Sequence, residues 1–204
     1  MTQILILYYS RNGATQALAD AIATGVESAG AEALLRTVSG NADDAASQRD
    51  IVVNDLDLQH CDGLIVGSPT RFGHMASSLQ RFWESTSRDW LKGSLEDKPG
   101  AVFTSTGSQH GGQESTLLTL ALPLLHHGML LTGIPYSEPA LQQTRDGGSP
   151  YGASHVAHDD GASGGKVSLS EHEYRCAKQL GYRVASIAQR LKLSAATSSS
   201  LSDS

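Results

Sequence analysis

The sequence predicts an α/β fold built on a doubly wound parallel sheet. Short apolar runs of strand length alternate along the chain with stretches of helical periodicity. Each run feeds a loop of small, hydroxylic or glycine residues, the places where ligands sit in open parallel sheets. A chain of 204 residues is also long enough to bury several strands with helices on both faces of the sheet, in one domain over residues 1–193.

The elements follow in order. Residues 4–7 form a first strand, and Tyr8, Tyr9, Ser10, Arg11, Asn12, Gly13, Ala14 and Thr15 read as a tight loop and a helix start. Leu18, Ile22 and Val26 recur every four positions and give that helix a face to bury. Residues 33–38 are a second strand, 41–59 a polar and irregular stretch with a short helix, and 63–67 a third strand running into Ser68, Pro69 and Thr70. Leu79, Phe82, Trp83, Thr86 and Trp90 keep helical spacing, and residues 101–104 are strand-like. A second glycine-rich loop follows: Ser105, Thr106, Gly107, Ser108, Gln109, His110, Gly111 and Gly112. A helix over 114–125 and a strand over 129–134 come next. The last helix, about 170–191, sets Cys176, Leu180, Val184, Ile187 and Leu191 on one face. Two segments break the alternation. Residues 135–165 are too long for an ordinary connection, which marks a functional or interface loop. Residues 194–204 are dominated by Ser and Ala, have little to bury, and read as a disordered tail.

Composition removes several function classes. The formal net charge is −6, from 15 basic and 21 acidic residues with no basic cluster, which argues against a nucleic-acid partner. The Leu-rich stretch 117–134 is interrupted by Pro123, His126, His127 and Gly128, so it reads as helix, turn and strand and not as a membrane span. Cys61 and Cys176 lie outside any Cys-x-x-Cys pattern and read as buried reduced thiols. No basic flank or apolar core of signal-peptide length precedes the first strand, so the cytoplasm is the expected location.

Three loops carry the candidate chemistry. The first, from Ser10 to Thr15, can close backbone N–H groups around a phosphate while the helix beginning near Thr15 adds its positive dipole end. It has neither a Gly-x-Gly-x-x-Gly nor a Gly-Lys-Ser/Thr signature, so a mononucleotide is the better fit. The second, Ser68, Pro69, Thr70, Arg71, Phe72, Gly73, His74 and Met75, offers a hydroxyl, a rigid proline, a cation and an aromatic ring, a mixture suited to a flat, hydrogen-bonding heterocycle. The third runs from Ser105 to Gln113 and would flank the other side of the ring.

Several motifs in series bring a family into view: Leu-Tyr-Tyr-Ser at 7–10, Gly-Ser-Pro-Thr-Arg-Phe-Gly at 67–73, Ser-Thr-Gly at 105–107 with Gly-Gly-Gln-Glu at 111–114, His-His-Gly-Met at 126–129, and Gly-Ser-Pro-Tyr-Gly-Ala at 148–153. Together they resemble the WrbA-type flavodoxin-like NAD(P)H:quinone oxidoreductases, over about residues 3–192 and in the family's order. The resemblance implies a flavodoxin-like sheet of five parallel strands in the order 2-1-3-4-5 with helices on both faces. It also implies noncovalent FMN, NADH or NADPH as donor, and two-electron, ping-pong reduction of quinones in a homotetramer, with a dimer as the smaller alternative. On that basis Ser10, Arg11, Asn12, Gly13, Ala14 and Thr15 hold the FMN phosphate, Pro69, Thr70, Arg71, Phe72 and Gly73 line the isoalloxazine, and Ser105 to Gly112 wrap its other side. His127 closes over the flavin from a neighbouring subunit, Trp90 contacts the quinone, and Asn12 lies near the nicotinamide. No residue acts as a catalytic acid or base, because the chemistry is the flavin's.

The match is not uniform. Asn12 stands where some members carry an aromatic residue, and Ser108-Gln109-His110 makes the third loop less glycine-rich and one residue longer than in some members. Read without the family, Trp90 also fits the end of a core stripe, His127 a helix-end histidine and Arg71 a surface charge. His155, His158, Asp159 and Asp160 cluster like metal ligands but lack a helical or Cys-based spacing, so no metal is expected and a solvated loop at a subunit interface is the preferred reading. A one-electron carrier of the flavodoxin type and an FMN-binding regulatory module remain the alternative functions.

Overall fold

The computed structural model describes residues 1–40, 49–157 and 167–202, with side chains as far as residue 194. Its elements are β1 (Gln3–Tyr8), α1 (Ala14–Ser28), β2 (Glu32–Thr37), α2 (Asp55–His60), β3 (Gly63–Pro69), α3 (Ser77–Ser85), α4 (Ser87–Leu91), β4 (Pro99–Thr106), α5 (Gln113–His126), β5 (Leu130–Leu131), α6 (Ala140–Gln143), β6 (Ala153–Val156) and α7 (Glu171–Ser202). All strand pairs are parallel, in the order β2-β1-β3-β4-β5, with β6 also on β4.

The two-residue period of the strands sorts the core into two layers. Ile4, Ile6 and Tyr8 of β1, Ile65 of β3, and Ala101 and Phe103 of β4 face α1 and α7. Leu5, Leu7, Leu64, Val66 and Val102 face α2, α3 and α5, where Leu58, Leu79, Trp83, Leu117, Leu120 and Leu124 meet them. Leu18, Ile22 and Val26 are fully buried, as their spacing predicts. So are Cys176, Leu180 and Val184, whereas Ile187 is half-buried and Leu191 exposed, the buried face having drifted to Ala185 and Ala188. Helices α1 and α7 cross closely at two glycines. A Cβ on Gly25 would lie 2.0 Å from the Lys178 carbonyl oxygen, and one on Gly181 would lie 2.1 Å from that of Ile22.

Three expectations need correction. The sheet has six strands, not five, because the fifth position is filled twice. β5 pairs with Pro99 and Gly100 at the start of β4, and β6 pairs with residues 103–106 at its end. Between them residues 132–152 leave the sheet edge, so the strand expected over 129–134 shrinks to two residues. The excursion closes on itself through Ile134 N–H to the Pro150 carbonyl, 3.0 Å. The stripe from Leu79 to Trp90 is two helices: the Thr86 hydroxyl donates to the Trp83 carbonyl at 2.7 Å, competing with the helical ladder where α3 ends. Finally, α7 carries helical backbone to Ser202, past the Leu191 at which the sequence pattern ended it and through residues 194–202 of the Ser-rich stretch. Extending a helix already anchored by packing costs little per residue for Ala and Ser.

Stretch 117–134 forms helix, turn and strand as expected, with Gly128 supplying the left-handed turn (φ 76°). No helix among the described residues is long and apolar enough to cross a membrane. Cys61 and Cys176 are free and buried, and burial pushes both thiols up to about 11.

Candidate functional site

Because every strand points the same way, the loops after β1, β3 and β4 gather at one edge of the sheet. In the first, Ser10 is buried and its hydroxyl oxygen accepts from the N–H groups of Gly13 (3.2 Å) and Gln16 (3.3 Å), bending the loop into a ring. Gly13 takes the left-handed conformation (φ 89°) that starts α1, which has no side-chain cap and no acidic residue in its first turn. By contrast α2, α5 and α7 each carry acidic residues there. The positive end of α1 is thus left for an external anion. Thr15 is buried beside it and shares a 2.9 Å hydroxyl contact with Ser105 of β4, tying the first loop to the third.

The second loop is a tight turn. Arg71 and His74 exchange backbone hydrogen bonds (2.8 and 3.1 Å), with Phe72 and Gly73 between them at positive φ. That turn holds the Phe72 ring wholly in solvent. Thr70 donates its N–H to the Ser105 carbonyl (2.9 Å), and its hydroxyl meets that of Thr116 (2.8 Å). In the third loop Gly107, Ser108, Gln109, His110 and Gly111 are exposed, and His110 is at φ 59°. Gly112 (φ 100°) passes so near the second loop that a Cβ there would sit 3.3 Å from the Gly73 Cα.

No carboxylate occurs in residues 8–16, 68–76 or 105–113, while Arg11, Arg71, His74 and His110 do. Hydroxyls, backbone N–H groups and cations, with no acid within the three segments themselves, suit a phosphate dianion, and a planar ring that gains negative charge when reduced. These residues fit FMN.

His127 and Trp90 lie elsewhere. Helix α5, 14 residues long, leaves the loop edge at Gln113 and ends at His126, a span of about 20 Å. There the Gly128 carbonyl accepts from Asp97 N–H (3.0 Å), at the opposite edge of the sheet. Trp90 is half exposed and donates its indole N–H to the His126 carbonyl (2.8 Å). His127 is buried with its Nε2 3.0 Å from the Thr86 hydroxyl. Since that hydroxyl donates to Trp83, His127 must donate from Nε2, which leaves Nδ1 as an acceptor without a partner. Burial lowers its pKa and keeps the ring neutral. The Trp83 indole, with its ring 5.3 Å away, also has a buried, unpaired N–H. Both rings border a cavity of about 300 Å³ together with Trp90 and Pro123.

The family described as NADPH-dependent FMN reductase matches residues 2–136 of this chain. The chain belongs to that family. It is 42% identical, over 94% of its length and 99% of the relative's, to a protein of Gluconacetobacter diazotrophicus named NAD(P)H dehydrogenase (quinone). A protein of the same name from Chromohalobacter salexigens is 41% identical over the same shares of the two chains. In backbone, the flavodoxin WrbA-like protein of Agrobacterium tumefaciens superposes with a TM-score of 0.65 at 23% identity, covering 93% of this chain and 99% of that one, which bears on the fold alone.

In this member of the FMN reductase family the first, second and third loops come together at one edge of the sheet, and Trp90 and His127, the latter expected to act from a neighbouring subunit, lie apart from them within one chain. The metal-like cluster is also revised. His155 sits in β6, buried, with Nδ1 2.9 Å from the Glu173 carboxylate, and His158, Asp159 and Asp160 lie outside the described residues. Among the described residues no group of three or more His, Cys, Asp or Glu could hold a metal ion. Glu173 was missed by the sequence reading. Its two oxygens accept from Gly147 N–H, Val156 N–H, Ser170 N–H and His155, at 2.8 to 3.0 Å. Burial alone would raise its pKa, but the bond from His155 and those from the backbone outweigh it and hold the carboxyl at about 2. Its capping-box-like place three residues after Ser170 was the available signal.

Proposed function

We propose that the protein is an FMN-dependent NAD(P)H:quinone oxidoreductase. The observation that carries this reading is the carboxylate-free cradle of three loops at one sheet edge, beginning at a helix end with no acid and no cap of its own. Family membership and relatives named NAD(P)H dehydrogenase (quinone) support it. Ser10, Arg11, Asn12, Gly13, Ala14 and Thr15 would hold the phosphate, with Thr15 and Ser105 presenting paired hydroxyls. Pro69, Thr70, Arg71, Phe72 and Gly73 would line one side of the ring and Ser105 to Gly112 the other.

FMN, when bound, supplies a two-electron carrier that takes hydride from NADH or NADPH and passes it to a quinone. The chain's own part is to stack each planar reactant in turn, to keep water out, and to aim fixed N–H groups of the 105–112 loop at the charge that builds in the ring. Asn12, exposed beside the first loop, is the proposed nicotinamide contact. His127 and Trp90, about 20 Å away within the chain, would serve the flavin of a neighbouring subunit. The exposed face of α5, with Leu118, Leu122 and Leu125 each about half exposed, supports assembly into a homotetramer or dimer. A cytoplasmic location belongs to the same proposal, supported by two buried thiols that remain unpaired.

The test is a visible absorption titration of the protein with FMN, followed in the same cuvette by NADH and then benzoquinone. Flavin bands that shift on binding, bleach with NADH and return with quinone are expected. Bands unperturbed by folded protein would overturn the reading.

A further inference from the structure

The third loop is held from behind by a directed chain of buried hydrogen bonds. Gly148 N–H donates to the Ser154 hydroxyl (2.8 Å), which donates to Gln113 Oε1 (3.0 Å). Gln113 Nε2 then donates to the Thr106 hydroxyl (3.2 Å), and that hydroxyl donates to the Ser108 carbonyl (2.9 Å). Each hydroxyl both accepts and donates once, so the chain has one polarity and the Gln113 amide one orientation. Ser154, Thr106 and Gln113 are all buried. One residue before Gly148, Gly147 N–H is fixed by the Glu173 carboxylate.

We propose that Gln113 and Ser154 are positioning residues, which set the shape of the 106–112 loop from the 132–152 excursion and thereby tune how strongly the protein favours reduced over oxidised FMN. This rests on the proposed function. The loop needs such a support: His110 is held at positive φ (59°), and the turn around it is closed by Gly111 N–H to the Ser108 carbonyl at 3.0 Å. The Ser108 carbonyl is the point on which both that bond and the buried chain converge. Removing the Gln113 amide, or the Ser154 hydroxyl that orients it, leaves the Thr106 hydroxyl without the donor that points it at the Ser108 carbonyl, and loop donors that must meet a developing charge lose their fixed direction.

The experiment compares full-length wild type with Ser154→Ala, Gln113→Met and, as a control, Thr132→Val, which removes a hydroxyl bond from the excursion to the Gly100 carbonyl at the other end of β4. Amide hydrogen exchange is read on protein without FMN, and the two-electron midpoint potential on protein with FMN. Both relay variants are expected to speed exchange at residues 107–112 and to lower the preference for reduced FMN about tenfold, which is about 30 mV for a two-electron couple. Thr132→Val should do neither. Unchanged exchange in the relay variants, or faster exchange with an unchanged potential, would overturn the positioning role. Wild-type protein that binds no FMN would instead overturn the functional reading, a result seen before any variant is compared.

Discussion

The loop edge and the far end of α5 differ in completeness. At the loop edge the hydroxyls of Ser10, Thr15, Thr70, Ser105 and Thr106 have partners within the chain, and Glu173 is satisfied on both oxygens. At the end of α5, His127 Nδ1 and Trp83 Nε1 are buried without partners, and Trp90, Leu118, Leu122 and Leu125 face outward. An unpaired buried polar group costs about 1 to 3 kcal/mol, so the two facing rings at the end of α5 carry a cost that a further partner could relieve. The difference teaches that one region is closed by its own chain and the other left open, as the proposed function requires if FMN binds to one chain and is covered by another.

The largest expected effect tests how far the closed edge depends on its anchor. Glu173→Ala leaves His155 and three N–H groups without their acceptor and should cost about 3 kcal/mol or more at neutral pH. Because the folded pKa of Glu173, about 2, lies below its ordinary 4.5, its contribution is complete above pH 4.5 and fades as pH falls toward 2. Thermal melts from pH 7 to 2 should therefore show the wild type and variant converging in acid; a gap independent of pH would count against this account.

Next come the proposed phosphate contacts. Thr15→Val and Ser10→Ala should each weaken FMN binding by about 1 to 3 kcal/mol, read by flavin fluorescence titration. Unchanged affinity in both would remove the phosphate from this loop.

The open end gives a smaller, cleaner separation. Trp90→Ala should raise the KM for benzoquinone several-fold while FMN stays bound, since Trp90 lies far from the loops of its own chain. Release of FMN would mean that Trp90 is structural. The smallest effect on the monomer belongs to Leu122→Ser on the exposed face of α5. Its melting temperature should barely move, within about 0.5 kcal/mol, while sedimentation shows weaker self-association. An unaltered assembly would show that this face is not the covered one.

Much of this organisation is legible in residue patterns. The four-residue spacing of Leu18, Ile22 and Val26 and the apolar runs of β1 and β3 are local periodicities, and the structure buries them as read. The three loops are legible because glycine, proline and hydroxyl residues are chosen for backbone geometry at that very point in the chain. Other features have no local signature. His155 reads as a loop residue until β6 pairs with β4 and sets it beside Glu173, 18 positions on. The role of Gln113 is hidden because its partners are Thr106 and Ser154, 7 and 41 residues away. The break at Thr86 is a contest between a side-chain bond and the helical ladder, which spacing alone does not decide.

The sequence by itself determined the alternation of strands and helices, the two faces of the core and the identity of the three loops, since each depends on neighbours a few residues apart. Only the tertiary structure decided that the fifth strand is split, that a buried relay reaches the third loop, and that His127 and Trp90 stand at the far end of α5 from the cradle. Those outcomes depend on which distant segments meet across the sheet, and a pattern confined to adjacent residues carries no information about that meeting.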